Sequence, residues 1–474
     1  MVIILCRIKL DICMTHEELF KKIYESARKC NYKIYVVGGY VRDLLLGKKV
    51  KDIDFVVVGD AMKFAQQLKK DLHLRTLVQY PRFGTFMTRY YGYQLEFVNA
   101  REESYSQDSR KPVTKQADLH SDLSRRDFTI NTLAMDISPE NFGKIIDVYN
   151  GQQDLKAGII RTPLEPAKTF SDDPLRMLRA IRFAARLDFT IEENTFKAIQ
   201  ANAKRLEIIS QERITDEFNK ILMAEKPSRG MRLLDASGLL QVFFPEFMAL
   251  KGVEQRKGFH HKDVFYHTLQ VLDNVAAKSK NLNLRLAALF HDIGKPPTKR
   301  FDEKNGWTFH GHEVVGERMA RRILRRFKYP TETIQYVCKL VRLHLRPMSL
   351  VSEEVTDSAI RRLIFLAGDE LDDLMILCRA DITSKIEQKV KRYLQNYELV
   401  LKRIAEVEER DRIRNFQPPI DGNEIMQLFN LQPGPKIGKI KKFILEAILN
   451  GEVPNDHDAC LKLILEHKDE LLKD

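Results

Sequence analysis

Cysteine is sparse in this chain, and what there is makes no pattern. The six cysteines (Cys6, Cys13, Cys30, Cys338, Cys378 and Cys460) are scattered over 474 residues with no CxxC pair. That excludes a disulfide framework and a zinc ribbon, and points to reduced thiols and a cytoplasmic setting. Long apolar runs are missing as well. No window approaches the roughly 20 residues a membrane span needs. The apolar run in the opening MVIILCRIKL is too short for a signal peptide, so Met1–Met14 reads as a dispensable lead. There is no internal repeat and no low-complexity segment.

What is present is ordinary in bulk and uneven in charge. Apolar residues make up 44% and charged residues 30%, a balance typical of globular chains. The length leaves room for roughly three domains of about 150 residues each. The formal net charge of +12 favours a polyanionic partner, without saying which.

Patterning divides the chain into an α+β head and a mostly helical body. KIYVVGG, DIDFVVV, LRTLVQY, FGTFMTRY and QLEFVNA read as strands, with YVRDLLLG and AMKFAQQLKKDL as helices between them. Ser104–Leu123 is polar and aperiodic and reads as a long functional loop. Beyond Leu164, apolar residues recur at helical spacing and strand signals disappear. The segment Lys295–Gly311, rich in Pro, Lys and Gly, reads as a loop. The expected divisions are a lead and helix at 1–30, a head at 31–164, a helical domain at 165–250, a second helical domain at 251–410 and a helical tail at 411–474.

Two features of the head call for phosphate chemistry. A β-run ends in Gly38-Gly39 and passes at once into a helix, which permits a tight turn with free backbone N–H groups that attract phosphate. The pair fits neither the Walker A pattern nor GxGxxG. Arg42 is placed to add a bidentate contact to phosphate oxygens. The second feature is Asp52-Ile53-Asp54. In a strand, residues two apart share a face, so both carboxylates project together. Such a pair repels itself unless a proton or cation intervenes, and Mg²⁺ is the natural oxygen-bound ion. Glu96, on a later strand, is a third candidate carboxylate. The plain alternatives are a structural turn and a solvated strand start.

The combination GGYVRDLLLG…DIDF, followed by RRDFTINTLAM and DDPLRMLRAIRFAARL, resembles the bacterial-type tRNA nucleotidyltransferase and poly(A) polymerase family, in that family's motif order from Lys33 to about Leu240. The resemblance implies a polymerase-β-like nucleotidyltransferase head. It also implies that Asp52 and Asp54 bind the catalytic Mg²⁺, that Gly38, Gly39 and Arg42 hold the triphosphate, and that Arg125, Arg126, Asp127 and Asn131 contact ribose and phosphates. In DDPLR, Asp173 reads as an N-cap with Pro174 at the first helical position. It also sets an acceptor-only group beside the donor-only Arg176. Cytosine and adenine each present an amino donor next to a ring-nitrogen acceptor, which matches that edge. Uracil and guanine would leave the aspartate unpaired, at a cost of roughly 1–3 kcal/mol. By resemblance, Arg213 and Glu217 in QERITDEF are a pair that braces this helix.

In the body, His267, His291, Asp292, His312, His344 and Asp381 have the order of the HD phosphohydrolase superfamily, which the stretch Phe259–Thr383 resembles. Imidazoles and carboxylates in that order suit Mg²⁺ or a transition metal (Mn, Ni, Co or Fe), and such a centre activates water against a phosphoester. Any one of these histidines, taken alone, reads as a buried hydrogen-bonding residue. His260, His261 and His310 have no assigned role.

The basic helices RMLRAIRFAARL, RRILRRFK and KIGKIKKF suggest a positive track for a folded RNA read by shape and backbone. The resemblance implies addition of CMP and AMP, from CTP and ATP, to the 3′ end of tRNA, with a metal-dependent phosphohydrolase as an additional capacity. No membrane association or stable protein partner is implied. The alternatives are a poly(A) polymerase or an enzyme restricted to CC or A; a regulatory uridylyltransferase; and an HD hydrolase whose head merely binds nucleotide.

Overall fold

The computed structural model describes residues 14–106, 109–254, 263–303, 306–352, 356–383, 387–411, 413–414 and 416–473. Most of the lead, Cys6, Cys13, His260 and His261 lie outside them. The chain forms two compact units. One comprises the residues up to Glu217 together with Leu233–Phe243, and the other comprises Phe218–Arg232 and everything from Phe244 onward.

The first unit opens with α1 (His16–Lys29), started by a capping box in which Thr15 and Glu18 satisfy each other's backbone N–H groups. A seven-stranded mixed sheet follows, built from β1 (Lys33–Val37), β2 (Asp52–Val58), β3 (Val78–Tyr80), β4 (Thr85–Tyr90), β5 (Tyr93–Asn99), β8 (Ala134–Asp136) and β9 (Ile145–Ile146). Their spatial order is β3-β4-β5-β2-β1-β8-β9, and only β2 and β5 pair in parallel. β-branched and aromatic residues make these strands. Phe55, Phe86 and Phe97 face one side as a stack with centroids 4.5–4.6 Å apart, while the other face carries Asp54 and Glu96 beside a second apolar cluster that includes Val37 and Val56. Each buried phenyl contributes about 1.5–3 kcal/mol. LRTLVQY yields strand only at its last three residues.

Register does the positioning. Antiparallel pairing sets Val37 opposite Asp54, so the glycine turn begins one residue beyond the carboxylate. Parallel pairing sets Asp54 opposite Glu96. The turn leads into α2 (Gly39–Leu45), and α3 (Ala61–Asp71) completes the early half of the head.

Ser104–Leu123 is not a loop. β6 (Arg101–Ser106) and β7 (Ser109–Gln116) form a separate antiparallel ribbon, and α4 (Leu119–Ser124) follows, capped by Asp118 accepting from Ser121 N–H. The sequences of its two strands, REESYS and SRKPVTKQ, are almost wholly polar, so they leave no hydrophobic trace.

The unit continues with α5 (Gly151–Ala157), α6 (Pro166–Asp172), α7 (Leu175–Leu187), α8 (Glu193–Asn202) and the first part of α9 (Gln211–Leu222), whose residues from Phe218 belong to the second unit. Strands do not vanish as expected, since β10 (Ile159–Ile160) and β11 (Thr190–Ile191) make a short parallel ladder. Helix α7 begins at Leu175, one residue later than DDPLR suggests, with Pro174 in the capping position. Asp173 still caps the backbone, because its Oδ1 accepts from Leu175 N–H at 3.2 Å.

The second unit is helical around a phenylalanine cluster of Phe244, Phe247, Phe265, Phe290 and Phe327. Buried Arg285 donates to the carbonyls of Leu222 and Ala224 at 2.7 and 2.8 Å, which fixes the helix Leu282–Phe290 in place. The expected loop Lys295–Gly311 instead contains a short helix, Lys295–Thr298, and a ribbon of β12 (Arg300–Asp302) and β13 (Gly306–Thr308). Among the described residues, no helix is long and apolar enough to cross a membrane.

Candidate functional sites

A cleft of about 870 Å³ in the first unit gathers Gly38, Gly39, Arg42, Asp54, Glu96, Arg125, Arg126, Asp127, Asn131, Asp173, Arg176 and Arg213 in its walls. Ten arginines and four carboxylates line it. A surplus of guanidinium on this scale suits an anion carrying several negative charges.

At the floor, Gly38 has φ +68°, and a Cβ there would lie 2.9 Å from Arg126 Nη1. Only glycine gives both the left-handed turn and the room for that arginine. Asp54 is half-buried, and the strand alternation puts Asp52 on the same face in an exposed position. Asp52 does not line the cleft itself. Burial raises the Asp54 carboxyl; Asp52 adds to the rise, and Arg126 and Arg42 offset part of it. Glu96 is raised likewise, by burial and then by Asp54, against Arg101. These three hard-oxygen groups, two of them raised by burial and by a neighbouring carboxylate, fit a divalent cation such as Mg²⁺.

Arg42 is not free to fork onto phosphate as it stands. Its Nε and Nη2 donate to Asp43 at 2.8 and 2.9 Å, and its Nη1 donates to Asn131 Oδ1 at 2.8 Å. RRDFTIN is organised by two residues the sequence reading overlooked. Asp122, fully buried in α4, accepts from Arg125 on Oδ1 and from Arg126 on Oδ2, and the two arginines hold its carboxyl below the usual range in spite of burial. Asp127 accepts from Asn131 and from Phe128 N–H on Oδ1, both at 2.9 Å, and from Arg179 on Oδ2 at 2.7 Å. Burial opposes ionisation there, yet Arg179 and these hydrogen bonds hold the carboxyl down to about 2. The i, i+3 and i, i+4 spacing of Asp122 to the arginines was readable on a helix. The partnership of Arg179 with Asp127 was not.

Asp173 and Arg176 stand at the head of α7, both in the cleft wall. Arg176 Nη2 donates to the Arg125 carbonyl at 2.6 Å, and Asp173 Oδ2 lies 3.6 Å from Arg213. Arg213 and Glu217 share a face of α9 and brace α7 at two points rather than binding each other, since Glu217 meets Arg182 of α7 at 3.0 Å, both side chains being almost fully buried. The contact is an ion pair outside hydrogen-bond alignment, since Arg182 Nε and Glu217 Oε2 have no hydrogen-bond partner.

The second unit assembles all six expected residues of its own cluster. The ligand atoms of His267, His291 and Asp381 lie within 4.8 Å of one another, as do those of Asp292, His312 and His344. Asp292 joins the two groups. Its Oδ2 is 3.2 Å from His291 Nε2 and 3.5 Å from His267 Nε2, and its Oδ1 is 3.4 Å from His312 Nε2. The outer nitrogens are all engaged. Nδ1 of His291, His312 and His344 bonds to the carbonyls of Ala288, Phe309 and Val341 at 2.7–2.8 Å, and Nδ1 of His267 lies 3.0 Å from the Thr383 hydroxyl. Such bonds fix the tautomer and leave Nε2 available to a metal. His291 Nε2 is fully buried without a hydrogen-bond partner. That orphaned nitrogen and the bridging carboxylate fit a divalent metal.

Three residues of this cluster escaped the sequence reading. Lys295 reaches Asp292 Oδ2 at 2.7 Å. Thr383 orients His267. Gly294 allows the backbone to close, because a Cβ there would lie 2.2 Å from the His312 carbonyl oxygen.

Three family models match successive stretches of the chain. Residues 34–161 match the family model of the poly A polymerase head domain, residues 188–251 match a probable RNA- and SrmB-binding site of polymerase A, and residues 264–385 match the HD domain. A CC-adding tRNA nucleotidyltransferase of Thermus thermophilus is 33% identical over 435 residues, covering 90% of this chain and 92% of the relative. A multifunctional CCA protein of Neisseria gonorrhoeae is 35% identical over 376 residues, covering 76% of this chain and 86% of the relative. In fold, the crystal structure of the Bacillus stearothermophilus CCA-adding enzyme in complex with CTP is similar at a TM-score of 0.67 and 23% identity, covering 96% of this chain and 99% of that one.

Proposed function

This chain belongs to the tRNA nucleotidyltransferase family, and we infer from that premise that it adds CMP and AMP, taken from CTP and ATP, to the 3′ end of tRNA without a template. The observation that carries this reading is the Asp173–Arg176 edge in the wall of the arginine-rich cleft that also holds Asp54 and Glu96.

In this reading the arginines of the cleft hold the triphosphate, the Gly38 turn lets Arg126 approach it, and the Asp127–Asn131–Arg179 network fixes the sugar side. The base meets Asp173, which accepts from its amino group, and Arg176, which donates to the adjacent ring nitrogen. The terminal 3′-hydroxyl oxygen then gives up its proton to water and bonds to the α-phosphorus as the bond to the bridging oxygen breaks, and pyrophosphate leaves with that electron pair. Asp52, Asp54 and Glu96 would hold Mg²⁺, which supplies charge neutralisation at the reacting phosphate when bound. A cytoplasmic setting suits this substrate.

Incubation with tRNA lacking its last three nucleotides and each labelled nucleoside triphosphate tests the reading. CMP and AMP should enter the RNA and UMP should not, and equal entry of UMP overturns it. Asp173→Ala should reduce discrimination against UTP by about 10- to 100-fold, the equivalent of leaving one buried acceptor unmatched. A competition assay at mixed nucleotide concentrations would measure that ratio.

A second reading attaches to the HD cluster, favoured by Asp292 standing between two groups of potential metal ligands. Its six residues would hold Mg²⁺ or a transition metal such as Mn, Ni, Co or Fe, which when bound supplies an activated water for phosphoester hydrolysis.

A further inference from the structure

The β12–β13 ribbon is inserted into the HD cluster between two of its own ligands, Asp292 and His312. Both of its feet touch that cluster. At the first, Lys295 binds Asp292 Oδ2 at 2.7 Å while its Nζ lies 5.7 Å from the centre of the Phe309 ring. At the second, the Phe309 carbonyl bonds to His312 Nδ1 at 2.8 Å. Among the described residues the ribbon pairs with no other strand, and a two-stranded ribbon this short is marginal by itself. It nonetheless carries the chain's single tryptophan. Trp307 is the direct cross-strand partner of Phe301, their centroids are 5.1 Å apart, and Phe301 is 49% exposed. Lys299 lies 4.2 Å over the Trp307 ring, and Arg300 adds a further exposed cation.

We propose that this ribbon is a base-stacking platform that delivers a nucleotide, as a free molecule or as the end of an RNA strand, to the HD cluster. The proposal rests on reading that cluster as a phosphoester site. A phosphoester there meets Lys295, and the ribbon follows directly on the short helix Lys295–Thr298 and returns to the cluster at Phe309, which places it within reach of whatever the phosphate is attached to. An exposed aromatic face flanked by lysine and arginine matches a flat π-system tethered to an anion, the combination that proteins use for single-stranded nucleic acid. An aromatic pair that served only to hold the ribbon closed would need no such exposure and no flanking cations.

Trp307 is a built-in reporter. Titrating the full chain with adenosine 3′-monophosphate, a short RNA ending in a 3′-phosphate, ribose 5-phosphate and inorganic phosphate, with Trp307 fluorescence and equilibrium dialysis as readouts, tests the proposal. Both base-bearing ligands, or the RNA alone if strand ends are the true source, should quench Trp307 and bind at least about tenfold more tightly than ribose 5-phosphate. Phe301→Ala should weaken that binding about tenfold, and Phe301→Tyr, which keeps the ring, should restore it. If all four ligands bind equally and Phe301→Ala changes nothing, the platform is wrong and the phosphoester reading of the cluster stands. If none binds at the cluster, both fall.

Discussion

Asp54→Ala is expected to lower nucleotide incorporation by on the order of a thousandfold, with tRNA affinity and the unfolding midpoint unchanged. The size follows from losing several kcal/mol of charge stabilisation at a transferring phosphate. The unchanged fold follows from the electrostatics: burial and the neighbouring Asp52 both push this carboxyl up, so its charge costs stability and its removal does not. Asp52→Ala should lose as much activity, and its exposed position makes a folding defect implausible as the cause. A single-turnover assay on trimmed tRNA, beside a filter-binding measurement, separates the effects. A variant retaining a tenth of the rate would remove the carboxylates from the reaction.

The second large effect is on stability. Glu217→Ala is expected to cost about 3–5 kcal/mol, because it leaves Arg182 buried without its counter-charge. Burial already pulls Arg182 down, with Glu217 acting against it. The strain would be felt in α7, whose first turn carries Arg176 and whose middle carries Arg182 over the Phe183 ring at 4.4 Å. Urea unfolding should place the midpoint well below that of the parent protein, whereas Glu193→Ala, removing an exposed i, i+4 ion pair, should shift it by less than about 0.5 kcal/mol. Equal midpoints for the two variants would show that Arg182 finds another partner.

How much of this was legible depended on whether a residue's partner lay nearby in sequence. Their β-branched and aromatic runs exposed β1, β2, β4 and β5, and the two-residue period gave with them the shared face of Asp52 and Asp54. The HD order was legible because each ligand sits at or near a helix end with its own hydrophobic period. The β6–β7 ribbon was hidden by the almost wholly polar sequences of its strands, and β12–β13 by its proline- and lysine-rich surroundings. Asp122 could have been found from its spacing to Arg125 and Arg126 on a helix, had α4 been recognised. Arg42 looked free until Asp43, its immediate neighbour, took its fork. The Arg179–Asp127 and Arg182–Glu217 partnerships join separate elements, and no local pattern announces them. Lys295 was passed over as one more cation in a loop.

The central claim is that side chains of this protein choose the base, with no template. Equilibrium binding of the four nucleoside triphosphates to the RNA-free protein tests it most directly. The predicted result is that CTP and ATP bind at least about tenfold more tightly than UTP and GTP, the cost of leaving Asp173 unmatched, and that Asp173→Ala brings the four affinities together. Four equal affinities in the parent protein would contradict it.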